Sequence, residues 1–80
     1  MAAMEYDLDI DAVGLLCPLP VLRLRKRLDG MAAGQIARLR ASDAVAHIDV
    51  PHFCAEQGHV LLGTEDLPDA TAFYVKKSVE

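Results

Sequence analysis

The residue in this sequence best suited to chemistry is Cys17, in the segment from Gly14 to Pro20 that reads GLLCPLP. A proline directly after a candidate N-cap residue is a signal for the start of a helix. We therefore predict that Cys17 is the N-cap and that Pro18 is the first helical residue. The thiol would face the positive end of the helix dipole, where a thiolate is favoured over a thiol. This position predicts a pKa for Cys17 below that of a free thiol.

The two prolines limit how strongly the helix start can stabilise the sulfur. Pro18 and Pro20 have no amide hydrogen, so the Leu19 N–H is the single donor expected to remain free near the thiol. A modest shift of the pKa suits a sulfur that must both accept and release a group, because a very low pKa makes a poor nucleophile. From this motif alone, Cys17 is either a nucleophile or sulfur carrier, or a buried structural cysteine beside a proline-rich turn.

Length and composition restrict the class of protein. The 80 residues correspond to one small domain, residues 1–80, and 52% of them are hydrophobic but only four are aromatic. No run approaches the roughly 18 apolar residues of a membrane-spanning helix, and residues 1–10 lack the pattern of a signal peptide. We expect a cytoplasmic, reduced protein in which Cys17 and Cys54 are thiols rather than a disulfide.

Four segments have the pattern of a strand. In the first, apolar side chains alternate with acidic ones, which is typical of a strand with one exposed face. In the second, alanine and leucine alternate with arginine. The predicted strands are residues 6–12, 35–42, 59–64 and 71–78, with a turn at residues 65–69.

Two helices are predicted between these strands. The first runs from Pro18 to about Asp29. The second is capped by Asp49, has Pro51 in its first turn and stops at Gly58. The order is therefore β-α-β-α-β-β, and strand–helix–strand units with right-handed crossovers place their helices on one face of a sheet.

The first helix carries a basic face, although the net charge of the chain is −4. Arg23, Lys26 and Arg27 lie on one side of the helix together with Leu19, opposite its apolar residues. This basic face is either an ordinary solvated surface or a docking patch for an acidic partner, with Leu19 as an apolar contact. The acidic total argues against general affinity for a phosphate backbone.

The second cysteine is predicted to pack in the core. Cys54 shares a helical face with Val50 and Phe53, and a free cysteine behaves as a small hydrophobe. The alternative is a resolving thiol. The sequence has no Cys-x-x-Cys, so a thioredoxin-like dithiol cycle has no local support.

The histidines do not form a recognisable metal motif. The spacing of His47, His52 and His59 with Cys54 matches no zinc pattern, so no metal site is predicted. A histidine from elsewhere in the fold that pairs with Cys17 remains an open alternative.

Taken together, these motifs resemble the TusA/SirA-like sulfur carriers over nearly the whole chain, from about Leu8 to Lys77. The resemblance has two parts, each at matching spacing: a strand that leads through Cys-Pro-x-Pro into a basic helix, and an Asp-x-Pro helix followed by Gly-His. These parts occupy residues 11–15 and 17–20, and then Asp43, residues 49–54 and residues 58–59. The resemblance implies an α+β fold, a two-layer α/β sandwich with a four-stranded mixed sheet under two helices.

The resemblance also implies a role. Cys17 would accept a sulfane sulfur, hold it as a persulfide and pass it on, while Pro18, Leu19 and Pro20 shape the helix start. The basic face would meet the partners. These would be a persulfide donor, such as a cysteine desulfurase or a rhodanese-like protein, and a downstream acceptor protein, with no direct contact to nucleic acid or membrane. No metal or organic cofactor is implied, and the protein would be a sulfurtransferase-type relay rather than a multiple-turnover enzyme on its own.

Three residues depart from the family pattern. Leu16 stands where many relatives have a polar or basic residue, Leu19 where the tRNA-thiolation branch typically has Glu, and Ala44 where a proline is common. The pathway therefore stays open between tRNA thiolation, sulfur oxidation and general sulfur trafficking. Two other classes of function remain as alternatives: an interaction or regulatory module in which Cys17 is only a redox or structural residue, and nucleic-acid binding through residues 23–27.

Overall fold

The structure, a computed structural model, describes residues 5–78 and confirms the predicted order of elements. The signal-peptide prediction rested on residues 1–10, of which residues 1–4 lie outside the described residues. Neither helix of the described chain is long and apolar enough to cross a membrane. The elements are β1 (Leu8–Ala12), α1 (Leu19–Asp29), β2 (Ile36–Ala41), α2 (Ala46–Gln57), β3 (Val60–Asp66) and β4 (Thr71–Lys76).

The four strands form one mixed sheet in the order β1-β2-β4-β3. β1 is parallel to β2, with Ile10 opposite Leu39, and β2 is antiparallel to β4, with Leu39 opposite Phe73. β3 is antiparallel to β4, and its register shifts between Leu61 and Gly63. This sheet with two helices is the predicted α+β sandwich. Its topology brings the ends of β1 and β2 together at the edge where Cys17 follows.

The core lies between the helices and one face of the sheet. β2 buries Ala37, Leu39 and Ala41 by strict alternation, as the sequence predicted. Both helices close over this face with their apolar sides. α1 buries Pro20, Leu24 and Leu28, and α2 buries Ala46, Val50, Phe53 and Cys54. The predicted packing of Cys54 beside Val50 and Phe53 is thus confirmed.

The outer face of the sheet buries a tyrosine that the alternation did not predict. Tyr74 is 1% exposed although it points away from the helices. Its hydroxyl donates to Glu65 at 2.8 Å, and its ring contacts Tyr6 with centroids 6.2 Å apart. The Arg38 guanidinium lies 5.3 Å from the centre of the Tyr6 ring. Side chains from β2, from β3 and from the segment before β1 therefore surround Tyr74, and this environment depends on the order of the strands.

The start of α2 differs from the prediction. The helix begins at Ala46, so Asp49 lies in its first turn and is not the N-cap, and Pro51 lies inside the helix. Asp43 makes the turn instead, because its Oδ1 accepts the Val45 N–H at 3.1 Å and its carbonyl accepts the Ala46 N–H at 3.0 Å. The predicted stop at Gly58 is confirmed by its left-handed φ of 79°. Smaller differences are that α1 begins at Leu19 and that β3 continues to Asp66.

Candidate functional site

Cys17 lies in the loop between β1 and α1, with its side chain exposed. The prediction that Cys17 is the N-cap was wrong by one residue, since Pro18 occupies that position and α1 begins at Leu19. The Cys17–Pro18 peptide bond is cis. Pro20 is buried in the core and fixes the first turn of α1 against it. The thiol therefore precedes the helix without capping it.

The amide that was expected to face the sulfur is already used. The Leu19 N–H donates to the Leu16 carbonyl at 2.8 Å, and the Leu22 N–H donates to the Pro18 carbonyl at 3.1 Å. A backbone amide with a carbonyl partner at this distance has no hydrogen left for the thiolate. The predicted stabilisation of a thiolate by Leu19 is thus absent from the described geometry.

Two hydrogen bonds fix the loop that carries Cys17. The Asp43 Oδ2 accepts the Cys17 N–H at 2.8 Å, while the Ser42 Oγ accepts the Gly14 N–H at 2.9 Å. Gly14 has a φ of +86°, which favours glycine at this turn. The hydrogen bonds from Cys17 and Val45 lower the pKa of the Asp43 carboxyl. Asp43 thus connects the start of α2 to the cysteine loop.

The thiol contacts a second carboxylate. The Cys17 Sγ donates to the Asp49 Oδ2 at 2.8 Å. This hydrogen bond is the largest cause that raises the pKa of Cys17, followed by desolvation and by the negative charges of Asp49 and Asp43. The prediction of a lowered pKa was therefore wrong, because two carboxylates surround the sulfur and the helix start supplies no free amide. Near neutral pH the hydrogen bond favours the thiol over the thiolate.

A groove of about 310 Å³ runs from Cys17 between the two helices. Its walls combine apolar side chains with five charged or polar ones, one from α1 and four from α2. His52 and Glu56 form an i,i+4 pair at 3.5 Å on one side of it. The lining residues are Cys17, Pro18, Val21, Leu22, Arg25, Asp49, His52, Phe53, Glu56 and Gln57. The exposed thiol therefore forms part of the wall of this groove.

The predicted docking residues do not all lie in the same groove. Arg23 and Lys26 line a second groove of about 240 Å³ on the other side of α1, together with Leu19. The Arg23 guanidinium donates to the Asp11 carbonyl at 2.9 Å, so its position is fixed. Arg27 is exposed but lines neither groove. Arg25, which was not among the predicted docking residues, lines the groove of the thiol.

Exposed apolar side chains accompany the site. Leu16 is 69% exposed and Ile48 is 72% exposed, and Leu19 and Leu22 are each about half exposed. Leu16 is adjacent to Cys17 in sequence and Ile48 to Asp49, so an apolar side chain stands beside each member of the thiol–carboxylate pair. Single exposed apolar residues are common. Four of them lie on the segments that hold the thiol and its carboxylate partner.

The histidines and the second cysteine lie apart from the sulfur. Within residues 5–78, no histidine forms a hydrogen bond with the Cys17 sulfur, and no group of three or more His, Cys, Asp or Glu side chains is arranged to hold a metal ion. His59 packs on Phe53 with ring centres 5.8 Å apart. Cys54 is 3% exposed, and desolvation raises its pKa to about 11. A buried thiol of this kind is inert.

Comparison with known proteins shows which family this fold and sequence belong to. The described fold is similar to that of a SirA-like protein from Desulfitobacterium hafniense, seen in a crystal structure. The TM-score is 0.79 at 20% identity, over 91% of this chain and all of that one. The profile of a protein family described as Sulfurtransferase TusA matches residues 8–77. The chain belongs to the TusA family.

Relatives in this family carry informative names. A protein named sulfur carrier protein TusA from Pseudomonas entomophila is 34% identical over 80 residues, which is the full length of both chains. A protein of the same name from Allochromatium vinosum is 35% identical, over 92% of this chain and 97% of its own. A putative sulfur carrier protein, YrkI, from Bacillus subtilis is also 35% identical, over 92% of this chain and 99% of its own. These alignments cover the loop of Cys17 and both helices.

Proposed function

We propose that this protein is a sulfur carrier that accepts a sulfane sulfur as a persulfide on Cys17 and relays it to an acceptor protein. The observation that carries the proposal is the contrast between the two cysteines, since Cys17 is exposed beside a groove and Cys54 is buried. The names of the relatives support the same role. We propose that the chain acts as one domain in the cytoplasm.

The transfer is two successive exchanges at one sulfur. In the first, the Cys17 sulfur attacks the outer sulfur of a donor persulfide, and the donor leaves as a thiol after its S–S bond breaks. In the second, an acceptor thiol attacks the outer sulfur of the Cys17 persulfide, and the Cys17 thiol is restored. No electrons are gained or lost overall, so the exchanges need no oxidant and no metal or organic cofactor. The protein thus acts as a relay between two partners.

The surface around the thiol supplies the proposed docking contacts. Arg23, Lys26 and Arg27 present positive charge on α1, and Leu19 adds an exposed apolar contact among them. This arrangement suits an acidic partner with an apolar centre. We propose a cysteine desulfurase or a rhodanese-like protein as the donor class. Contact with nucleic acid or membrane has no part in the proposal.

The residues of the helix start support the transfer by holding Cys17 in place. The Pro18 carbonyl accepts the first hydrogen bond of α1, and the buried Pro20 anchors that turn in the core. Leu19 is the first helical residue and its N–H closes a turn onto Leu16. We propose that these residues position the thiol, while the loop itself leaves it exposed to a partner.

Mass spectrometry of sulfur loading tests the proposal. The protein is incubated with a cysteine desulfurase and cysteine, and we expect a gain of about 32 Da on the peptide of Cys17, which a reductant removes. The Cys17→Ser variant should gain nothing with its fold intact, and the Cys54→Ala variant should load as the wild type does. A wild-type mass that never changes, with any persulfide donor, contradicts the proposal and favours an interaction or regulatory module.

A further inference from the structure

The thiol–carboxylate contact assigns a role to a residue of α2. We propose that the Asp49 carboxylate accepts the proton of the Cys17 thiol when this sulfur attacks a persulfide, and returns it to the departing donor sulfur. The proposal rests on the sulfur-carrier function, and it makes Asp49 a catalytic residue because it touches the reacting atom. Its basis is the 2.8 Å separation between the Cys17 Sγ and the Asp49 Oδ2.

The direction of this hydrogen bond is defined by the groups involved. An ionised carboxylate only accepts hydrogen bonds, so the hydrogen lies on sulfur in the resting protein. The thiolate, not the thiol, is the nucleophile in persulfide exchange. The proton must therefore leave before or during attack, and the Asp49 Oδ2 is the acceptor that the sulfur already contacts. Since the carboxylates also disfavour a free thiolate at this position, removal of the proton during attack is the route that the geometry favours.

Residues at the start of α2 hold both the Cys17 thiol and the Asp49 carboxylate in place. The Asp49 N–H donates to the Val45 carbonyl in the first turn of α2, and Asp43, just before that helix, holds the Cys17 N–H. The backbone and the sulfur of one cysteine are thus fixed by two carboxylates from one end of α2. Two further titratable side chains of the groove, His52 and Glu56, pair with each other. Arg25 contributes a positive charge to the wall of the groove.

The transfer of the sulfur and of the proton is balanced within a single step. The Cys17 sulfur forms a bond to the outer sulfur of the donor persulfide as its proton moves to the Asp49 Oδ2. The donor's S–S bond breaks, and its inner sulfur leaves with the electron pair and takes the proton from Asp49. The products are the Cys17 persulfide, a donor thiol and the ionised Asp49 carboxylate. No oxidant or reductant takes part.

Asp49→Asn tests this role, because the amide keeps the shape of the side chain but cannot take the proton. The probe is glutathione persulfide, which avoids effects on protein docking, and single-turnover loading of Cys17 is followed from about pH 6 to pH 8. We expect loading of the variant at pH 7 to fall at least about tenfold. Alkylation by iodoacetamide, which has no leaving thiol to protonate, should become faster because loss of the charge lowers the pKa of Cys17. The matched control is Asp29→Asn at the far end of α1, which should match the wild type in both assays.

Sulfur loading and alkylation, each compared between the wild type and Asp49→Asn, distinguish a proton acceptor from a group that only raises the thiol pKa. If Asp49→Asn loads as fast as the wild type or faster, in step with its alkylation, Asp49 only raises the thiol pKa and the inference is wrong. The wild type supplies a second test that needs no variant. Its loading rate should vary little between about pH 6 and pH 8, whereas a rise parallel to alkylation contradicts the inference. If the wild type takes up no sulfur from any donor, the carrier function itself fails; if it loads and only the contrast with Asp49→Asn is missing, only the role of Asp49 fails.

Discussion

The Sγ of Cys17 donates a hydrogen bond to the Oδ2 of Asp49 over 2.8 Å, across 32 residues of sequence. The contact joins the loop before α1 to the first turn of α2 and places a proton acceptor beside an exposed thiol. The resting protein therefore keeps the reactive sulfur protonated although solvent and partners can reach it. A carrier that waits for its donor benefits from this state, because a thiol is oxidised and alkylated more slowly than a thiolate.

The first prediction concerns the pKa of Cys17. The hydrogen bond to Asp49 raises it, so the thiolate fraction near neutral pH is smaller than in a free cysteine. Alkylation of the Cys17 peptide by iodoacetamide should be slower than that of a free thiol at pH 7, with a midpoint above that of free cysteine. Peptide mass spectrometry against pH measures this midpoint for Cys17 separately from Cys54. A midpoint below that of free cysteine would show that the helix start dominates after all.

The second prediction concerns Asp43. Asp43→Ala removes the acceptor of both the Cys17 N–H and the Val45 N–H, so the cysteine loop loses its tie to α2. We expect a thermal midpoint a few degrees lower and slower sulfur loading. Asp29→Ala, which removes a carboxylate at the other end of α1, is the matched control for charge. Equal behaviour of the two variants in melting and loading assays would contradict a positioning role for Asp43.

The third prediction concerns Cys54. Because its side chain is buried beside Val50 and Phe53, Cys54→Ser places a hydroxyl in the core and should lower the free energy of unfolding by about 1–2 kcal/mol. Urea denaturation measures the loss. Sulfur loading at Cys17 should be unchanged at a temperature where the variant is folded. A folded variant that no longer transfers persulfide sulfur would identify Cys54 as a resolving thiol.

The fourth prediction concerns the basic face. Lys26→Glu should slow association with an acidic donor several-fold at low salt and leave the fold unchanged, because it reverses a charge beside the second groove. Arg23→Glu or Arg27→Glu should add to the effect. The control is Lys76→Glu. Lys76 lies opposite Ile36 at the end of β4, and the cysteine loop follows the other end of the sheet. Association is measured by stopped flow at two salt concentrations. If both lysine variants bind as fast as the wild type, the basic face has no docking role.

Much of the fold follows from local patterns in the sequence. The alternation in β2, the shared face of Val50, Phe53 and Cys54, and the glycine stop at Gly58 each depend on neighbouring residues. The start of α2 was misplaced because Asp49 has the side chain of a typical cap, whereas the helix begins at Ala46 after a turn held by Asp43. Local pattern thus predicts which elements form more reliably than where they begin.

The chemistry of the site could be predicted only in part. Cys17 was found because its motif is local, whereas its carboxylate partner lies in another helix and no periodicity pairs the two. The expected lowering of the Cys17 pKa assumed a free Leu19 N–H, which the structure gives to Leu16. Arg25 joins the groove only because α1 and α2 pack side by side. Each of these facts depends on tertiary contacts between distant segments.

The most direct test of the central claim follows one labelled sulfur through Cys17. A donor persulfide that carries a sulfur isotope is mixed with the protein, the loaded protein is separated from the donor, and a thiol acceptor is added. We expect the label to appear first on the Cys17 peptide and then to leave it at the same rate as the acceptor gains it. Label that reaches the acceptor equally well with Cys17→Ser, or that stays on Cys17 in the presence of every acceptor thiol, would contradict a sulfur relay through Cys17.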